Sequence, residues 1–277
     1  MYKDTSSPHP MRFLLPLLLL FCLACGRSAE APGAADGPPP AALLTEQRSP
    51  DLDFAGRGQV LTFETPADRT GSAYVVKSDT PSQQYILLFH EWWGLTNGIK
   101  REAERYFDRF DDVNVIALDL YDGELARTAA EAQQLVARLT PERALDIVRG
   151  ALDYLGPDAR VVTVGWDTGA YWALRTAVEA GDRAKGCVMY YGEAVTDARD
   201  LVGLEAPVLY LVGELDDFVS QNAVERFVSL GKALNKDIAV SRYPAAHNFA
   251  NTESPRYNEA AARRANLRVM QFVAEVL

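Results

Sequence analysis

Histidine and cysteine are both scarce in this chain: its 277 residues hold three of each. Cys22 and Cys25 fall in the segment MRFLLPLLLLFCLACG, which leaves Cys187 alone in the remainder and excludes an internal disulfide there. Cys187 sits in KGCVMYYG, an apolar strand pattern, and reads as a buried core thiol. Positive charge is short too, since 28 Lys and Arg against 38 Asp and Glu give a net charge of -10. No basic stripe is available to replace phosphate counterions, which excludes a nucleic-acid partner. Anionic membrane surfaces gain no electrostatic hold either.

Long apolar runs are missing as well. The stretch from Phe13 to Ala24 falls well short of the roughly 20 residues that a spanning helix needs. With Arg12 before it, and Met11 as the expected start, it reads as a secretion signal. Its end, Leu23-Ala24-Cys25-Gly26, has the outline of a bacterial lipobox, although Cys22 stands where a Leu is usual. Cys25 is therefore the expected lipidated residue of an exported lipoprotein of the cell envelope, on the periplasmic side or at the outer membrane. Residues 26–53, with GPPPAA in the middle, are rich in Ala, Gly, Pro and Ser and show no periodic apolar pattern. They are expected to form a disordered tether. The chain thus divides into a signal (1–25), a tether (26–53) and one folded domain (54–277).

What is present in that domain is an alternation. QVLTF and SAYVV look like a leading hairpin, and YILLFH, VNVIALDL, VVTVGW, GCVMYYG, PVLYLVG and IAVSRYP follow, mostly separated by amphipathic stretches. Near-continuous apolar strands belong to a parallel sheet covered on both faces. Ile99, Ala103, Tyr106 and Phe110 form one helical face, and Leu267, Met270, Val273 and Leu277 another. The expected fold class is α/β: a single, mostly parallel, doubly wound sheet with helices on both faces. Sites in such sheets form beyond the carboxyl ends of the strands.

Four strand ends carry polar groups: His90-Glu91 after YILLF, Asp167 after VVTVGW, Glu214, Asp216 and Asp217 after YLVG, and His247 after SRYPAA. Asp167 is the centre of GWDTGA, the outline of a nucleophile elbow, G-x-Nu-x-G, with an acid where Ser or Cys is usual. His9 lies upstream of the signal, so a catalytic base is His90 or His247. The order nucleophile, acid, histidine along the chain selects His247, with Asp216 as its acid and Asp217 as the rival for that role.

Six motifs in this order, HEWWGL, ALDLYDG, GWDTG, MYYG, GELDDFV and HNFAN with YNEAAA, resemble the dienelactone hydrolase family over roughly residues 57–277. The resemblance implies an α/β-hydrolase fold and a triad at Asp167, Asp216 and His247, with Asp167 where the family carries Cys. It also implies an oxyanion hole from the backbone N–H groups of Trp92 and Thr168, and a glutamate, Glu91, in contact with the nucleophile. Asn251 stands four residues after the histidine, where members that cleave dienelactone carry an Arg for the substrate carboxylate. Losing that cation removes a charge-assisted contact, so dienelactone is not the expected substrate. Trp93, Trp166 and Asn251 are the expected substrate-binding residues.

A carboxylate that attacks an ester carbonyl must expel an alkoxide far more basic than itself, so ordinary ester cleavage through Asp167 is chemically awkward. Three readings follow. Asp167 attacks a saturated carbon, as the elbow aspartates of haloalkane dehalogenases and epoxide hydrolases do, and water activated by His247 frees it. Alternatively, the His247–Asp216 pair activates water directly and Asp167 orients it, or the site no longer works and the domain binds a ligand or partner at the cell surface. The expectation is an exported hydrolase acting on a small ester-like or alkyl molecule through an Asp-His-Asp site. Its partners are a small-molecule substrate and, through the lipid anchor alone, a membrane; no cofactor, no metal and a monomeric state are expected.

Overall fold

Val, Ile, Leu and Tyr dominate the short runs that become strands, because branched and aromatic side chains pack well on a pleated surface. The computed structural model describes Met1, residues 54–110 and residues 112–277. The expected export signal, Cys25 and the tether lie outside the described residues, Met1 aside. Eight strands form one sheet: β1 (Gln59–Glu64), β2 (Thr70–Val76), β3 (Gln84–Phe89), β4 (Val113–Asp119), β5 (Arg160–Trp166), β6 (Ala184–Tyr190), β7 (Val208–Gly213) and β8 (Ile238–Tyr243). Their order is β1-β2-β4-β3-β5-β6-β7-β8. β2 is antiparallel to both β1 and β4, and every other pairing is parallel.

Six α-helices are described: α1 (Asn97–Phe107), α2 (Ala129–Arg138), α3 (Pro141–Leu155), α4 (Thr168–Ala180), α5 (Gln221–Ala233) and α6 (Glu259–Val276). Alternate residues of one strand serve opposite faces of the sheet. Leu87 and Phe89 of β3 join the core under α2, α3, α4 and α5, whereas Ile86 and Leu88 join the core under α1 and α6. Cys187 is wholly buried in the first of these cores.

The face read for α6 needs correction. Met270 and Val273 are buried, but Leu267 is 58% exposed. The buried stripe is Ala261, Ala262, Ala265, Val269, Met270, Phe272 and Val273, and at 100° per residue Leu267 falls about 160° from its centre. Phe110 and Leu277 lie beyond the ends of α1 and α6 and pack against the core from there.

Five of the six described helices start with a side-chain cap. Thr96, Thr128, Thr140, Ser220 and Asn258 each accept a hydrogen bond from a first-turn N–H, which satisfies a donor that the helix leaves unpaired. The exception is α4, whose N-cap Asp167 makes no such bond. The carboxylate of Asp167 is directed elsewhere, and the strand order says where. After β3 the chain steps to one side to form β4, then to the other side of β3 to form β5. A crevice opens where the order reverses, between the loop after β3 and the elbow after β5.

Candidate active site

The elbow needs close backbone approach on three sides. A Cβ on Gly165 would lie 2.0 Å from the carbonyl oxygen of Gly169, and one on Gly169 would lie 2.4 Å from those of Phe89 and His90. A Cβ on Gly192, after β6, would lie 2.2 Å from the carbonyl oxygen of Asp167. The turn thus wedges Asp167 between β3 and β6. Its backbone takes φ 52° and ψ -124°, a region that costs a non-glycine residue about 1–3 kcal/mol. The Asp167 N–H donates to the Tyr190 carbonyl at 3.0 Å, and Ala170 N–H donates to the Asp167 carbonyl at 3.0 Å.

Both carboxyl oxygens of Asp167 have partners. Oδ2 accepts the backbone N–H of Trp92 at 3.3 Å, while Oδ1 stands 3.5 Å from Nε2 of His247. The other ring nitrogen of His247, Nδ1, lies 3.0 Å from Oδ2 of Asp216. Asp216 is fully enclosed, and its Oδ1 accepts the N–H groups of Phe218 and Val219 at 2.8 Å each. Three strand ends therefore bring Asp167, His247 and Asp216 into one line. Asp217 turns outward to Arg256 at 2.6 Å, and that guanidinium lowers its pKa. The geometry puts Asp216, not Asp217, on His247.

Burial opposes a charge on His247, but the carboxylates of Asp167 and Asp216 outweigh it and raise its pKa to about 10. The resting ring is an imidazolium between two anions. Glu91 moves in the same direction for a different reason. Burial, followed by the negative charge of Asp167, pushes its pKa up to about 8, so it keeps its proton at neutral pH. Its Oε1 accepts the Tyr191 hydroxyl at 3.1 Å and its Oε2 the Asn251 amide at 2.6 Å. Arg101 is bonded to Glu253 at 2.6 Å.

Trp93, Trp166 and Asn251 line one cleft of about 40 Å³ together with Glu91, Tyr191 and Glu253. Such a volume holds a group of a few atoms. Trp166 also stacks on Tyr190 at 5.5 Å. Trp172 packs in the core of the α4 face. Thr168 opens α4, so its N–H has no acceptor within the helix. Of the two expected oxyanion donors, the one bonded to the carboxylate among the described residues is Trp92. His90 joins neither Asp167 nor His247; it bonds to the backbone at Glu91 and Leu120.

Tyr191 carries more of the site than its motif disclosed. It is fully buried with φ 36°, and besides bonding Glu91 it sets its ring 5.4 Å from that of His247. Tyr121 is also buried, and burial and then the charge of Asp167 hold its hydroxyl well above its ordinary pKa. Both are phenols at strand ends in quoted motifs, MYYG and ALDLYDG. A polar aromatic after an apolar run was the available signal.

The dienelactone hydrolase family model matches residues 72–277. Carboxymethylenebutenolidase 1 of Cupriavidus pinatubonensis is 25% identical over 216 residues, 73% of this chain and 90% of that one. A carboxymethylenebutenolidase of Pseudomonas sp. is 31% identical over 117 residues, 42% of this chain and 48% of that one. Among solved structures, a dienelactone hydrolase-like promiscuous phosphotriesterase from metagenomic libraries has a TM-score of 0.68 at 18% identity, covering 80% of this chain and 99% of that one. A thermophilic esterase of the Planctomycetes species Thermogutta terrifontis has a TM-score of 0.58 at 16% identity, covering 79% and 94%. These likenesses show the α/β-hydrolase fold. With the family match running from β2 to the last residue, the chain belongs to the dienelactone hydrolase family of hydrolases.

Proposed function

We propose that the protein hydrolyses a small molecule at a saturated carbon, with Asp167 as the nucleophile, His247 as the base and Asp216 as the acid that orients it. The observation that carries this reading is the division of the Asp167 carboxyl group, with Oδ2 on the Trp92 N–H and Oδ1 against His247. In the first step an oxygen of Asp167 attacks the carbon, a C–O bond forms, and the leaving group departs with the electron pair of the broken bond. The product is an alkyl ester. The second step needs a donor at the carbonyl oxygen, because water adding to Cγ creates an oxyanion there. The Trp92 N–H supports that role. The indole N–H of Trp92, buried and without an acceptor among the described residues, offers a second donor for an anion.

Esterification also removes the charge of Asp167. His247 then faces one carboxylate instead of two, releases its proton to solvent, and becomes a base. It takes a proton from the attacking water and returns it to the departing alkoxide as the acyl C–O bond breaks. Asp167 is left with one oxygen from water and regains its charge by passing its remaining proton to His247, and the alcohol leaves with an oxygen from Asp167. This arrangement matches base strength to the step that needs it.

Single turnover in ¹⁸O-water, followed by mass analysis of the peptide that contains Asp167, tests the reading. The label is expected in Asp167 and absent from the first alcohol released. Label in the alcohol and none in Asp167 would establish direct water activation by His247 instead. In His247→Gln the ester is expected to persist as a mass increase on Asp167. The alternative of a binding protein without turnover is favoured by the near-closure of the site, where the Asp167 side chain is 8% exposed. Silence towards haloalkanoates, epoxides and aryl esters alike would support it.

A further inference from the structure

His90 is buried at the end of β3 and is not used by the reaction above, yet both of its ring nitrogens are engaged. Nε2 lies 3.1 Å from the backbone N–H of Leu120, after β4. An amide N–H can only donate, so Nε2 must be the bare nitrogen and Nδ1 must carry the proton. That proton is donated to the carbonyl oxygen of Glu91 at 2.7 Å. The peptide unit so engaged joins Glu91 to Trp92, and its other end is the Trp92 N–H that meets Oδ2 of Asp167 at 3.3 Å. One chain of bonds runs from Leu120 N–H through the imidazole and the peptide to the elbow carboxylate.

We infer that His90 is a positioning residue that aims and polarises the Glu91–Trp92 peptide, so that the Trp92 N–H is held as an oxyanion donor. Donation to the carbonyl draws electron density through the amide and makes its N–H a stronger donor, the cooperative strengthening expected of hydrogen bonds in series. The far end of the chain is anchored. Asp119 accepts the N–H groups of Tyr121 at 3.0 Å and Gly123 at 2.7 Å, which fixes the turn that presents Leu120. The Tyr121 ring meets the imidazole at 4.7 Å, edge to face. The near end is fixed by Gly169, whose absent side chain lets α4 rest on the carbonyl of His90. Burial lowers the pKa of the ring, which keeps the single tautomer that this chain requires. His90 thus connects β4 to the elbow without touching a reacting atom.

The kinetic consequence rests on the alkyl-ester reading, whereas the chain of bonds does not. Two variants separate the role from mere packing. In His90→Asn the amide nitrogen falls near the position of Nδ1 and can still donate to the Glu91 carbonyl. In His90→Gln the amide reaches the position of Nε2 and leaves that carbonyl without its donor. Removing an oxyanion donor outright costs about 10²–10³-fold in kcat, so a donor left in place but badly aimed is expected to cost about tenfold in His90→Gln. KM should fall with kcat as the ester on Asp167 accumulates, and His90→Asn should stay close to wild type.

Nuclear magnetic resonance of the whole protein supplies the independent reading. The ¹⁵N shifts of His90 are expected to show Nδ1 protonated and Nε2 bare at neutral pH. The Trp92 amide proton should move upfield in His90→Gln and not in His90→Asn. Equal Trp92 shifts in the two folded variants would overturn the inference, and a proton on Nε2 in the wild type would overturn it even if neither variant folds. If no form turns over an alkyl substrate, the reaction proposed above fails, and the tautomer and the Trp92 shift still decide the role of His90.

Discussion

Glu91 and His247 each keep a proton that a free side chain would have largely lost at neutral pH, and the consequence appears in stability as well as in chemistry. Glu91 rises from 4.5 to about 8 and His247 from 6.5 to about 10. Between those limits these two groups hold more protons in the native state than in the unfolded chain, so their contribution to stability falls as pH rises. Each group contributes at most about 1.4 kcal/mol per pH unit within its own window. From pH 4.5 to 6.5 Glu91 acts without His247, while buried His90, whose pKa is lowered from 6.5, works in the opposite direction in wild type and variant alike. Urea unfolding from pH 4.5 to 6.5 is therefore expected to show the midpoint of the wild type falling relative to that of Glu91→Gln. Parallel profiles would mean that Glu91 is ionised in the folded protein. The charge on His247 has its own test. Asp167→Asn removes one of the two anions that hold the proton, and the imidazole pKa measured by NMR should drop from about 10 towards 6.5. No change on substitution would remove the link between esterification and release of the base.

The elbow shows what a pair of elements needs to place one residue. Gly165, the penultimate residue of β5, lies against the first turn of α4, and Gly169 seats α4 on the backbone that ends and follows β3. Alanine at either position drives a methyl group into backbone, which cannot turn aside as a side chain can. A loss of about 2–3 kcal/mol or more is expected, at the upper end of overpacking costs. Gly203→Ala would meet the Val178 side chain at 3.2 Å and should cost much less; urea midpoints for the three variants check the ranking. Similar losses in all three would show that close approach does not set the cost at the elbow. Element identity was legible because apolar strand runs and amphipathic stretches are local signals. VVTVGW and YILLFH became β5 and β3 within a residue or two, and the elbow outline located Asp167. The partner of Glu91 was not legible. The resemblance implies contact with the nucleophile and nothing more, whereas Tyr191 and Asn251 reach Glu91 from 100 and 160 residues away. Contacts made across a sheet order that reverses at β3 leave no local trace. Leu267 failed for a simpler reason: a spacing of three and four fits more than one face, and alanines hold three of the seven positions that α6 buries.

At the scale of the whole molecule, charge and the export segment have to be weighed together. A chain of net charge -10 is repelled by anionic lipid, and among the described residues no helix is long and apolar enough to cross a membrane. Covalent lipid would supply a hold that charge does not, since each buried methylene contributes about 0.8 kcal/mol and more than one chain is needed for a stable anchor. We propose that Cys25 carries this lipid; Gly26 after it in LACG gives no aspartate signal for retention at the inner membrane, which favours the outer one. Expressed in a bacterial host fed radiolabelled fatty acid, the protein is expected to take up label and stay in the membrane pellet through a high-salt wash. Salt screens charge and leaves hydrophobic anchoring intact, so survival of the wash separates the two kinds of attachment. Cys25→Ser should lose the label and enter the soluble fraction. A soluble, unlabelled wild type would remove the anchor, and a labelled Cys25→Ser would move it to another residue. The proposed triad, Asp167, Asp216 and His247, lies far from this segment in sequence. The released variant should therefore form the Asp167 ester at the wild-type rate on a soluble substrate.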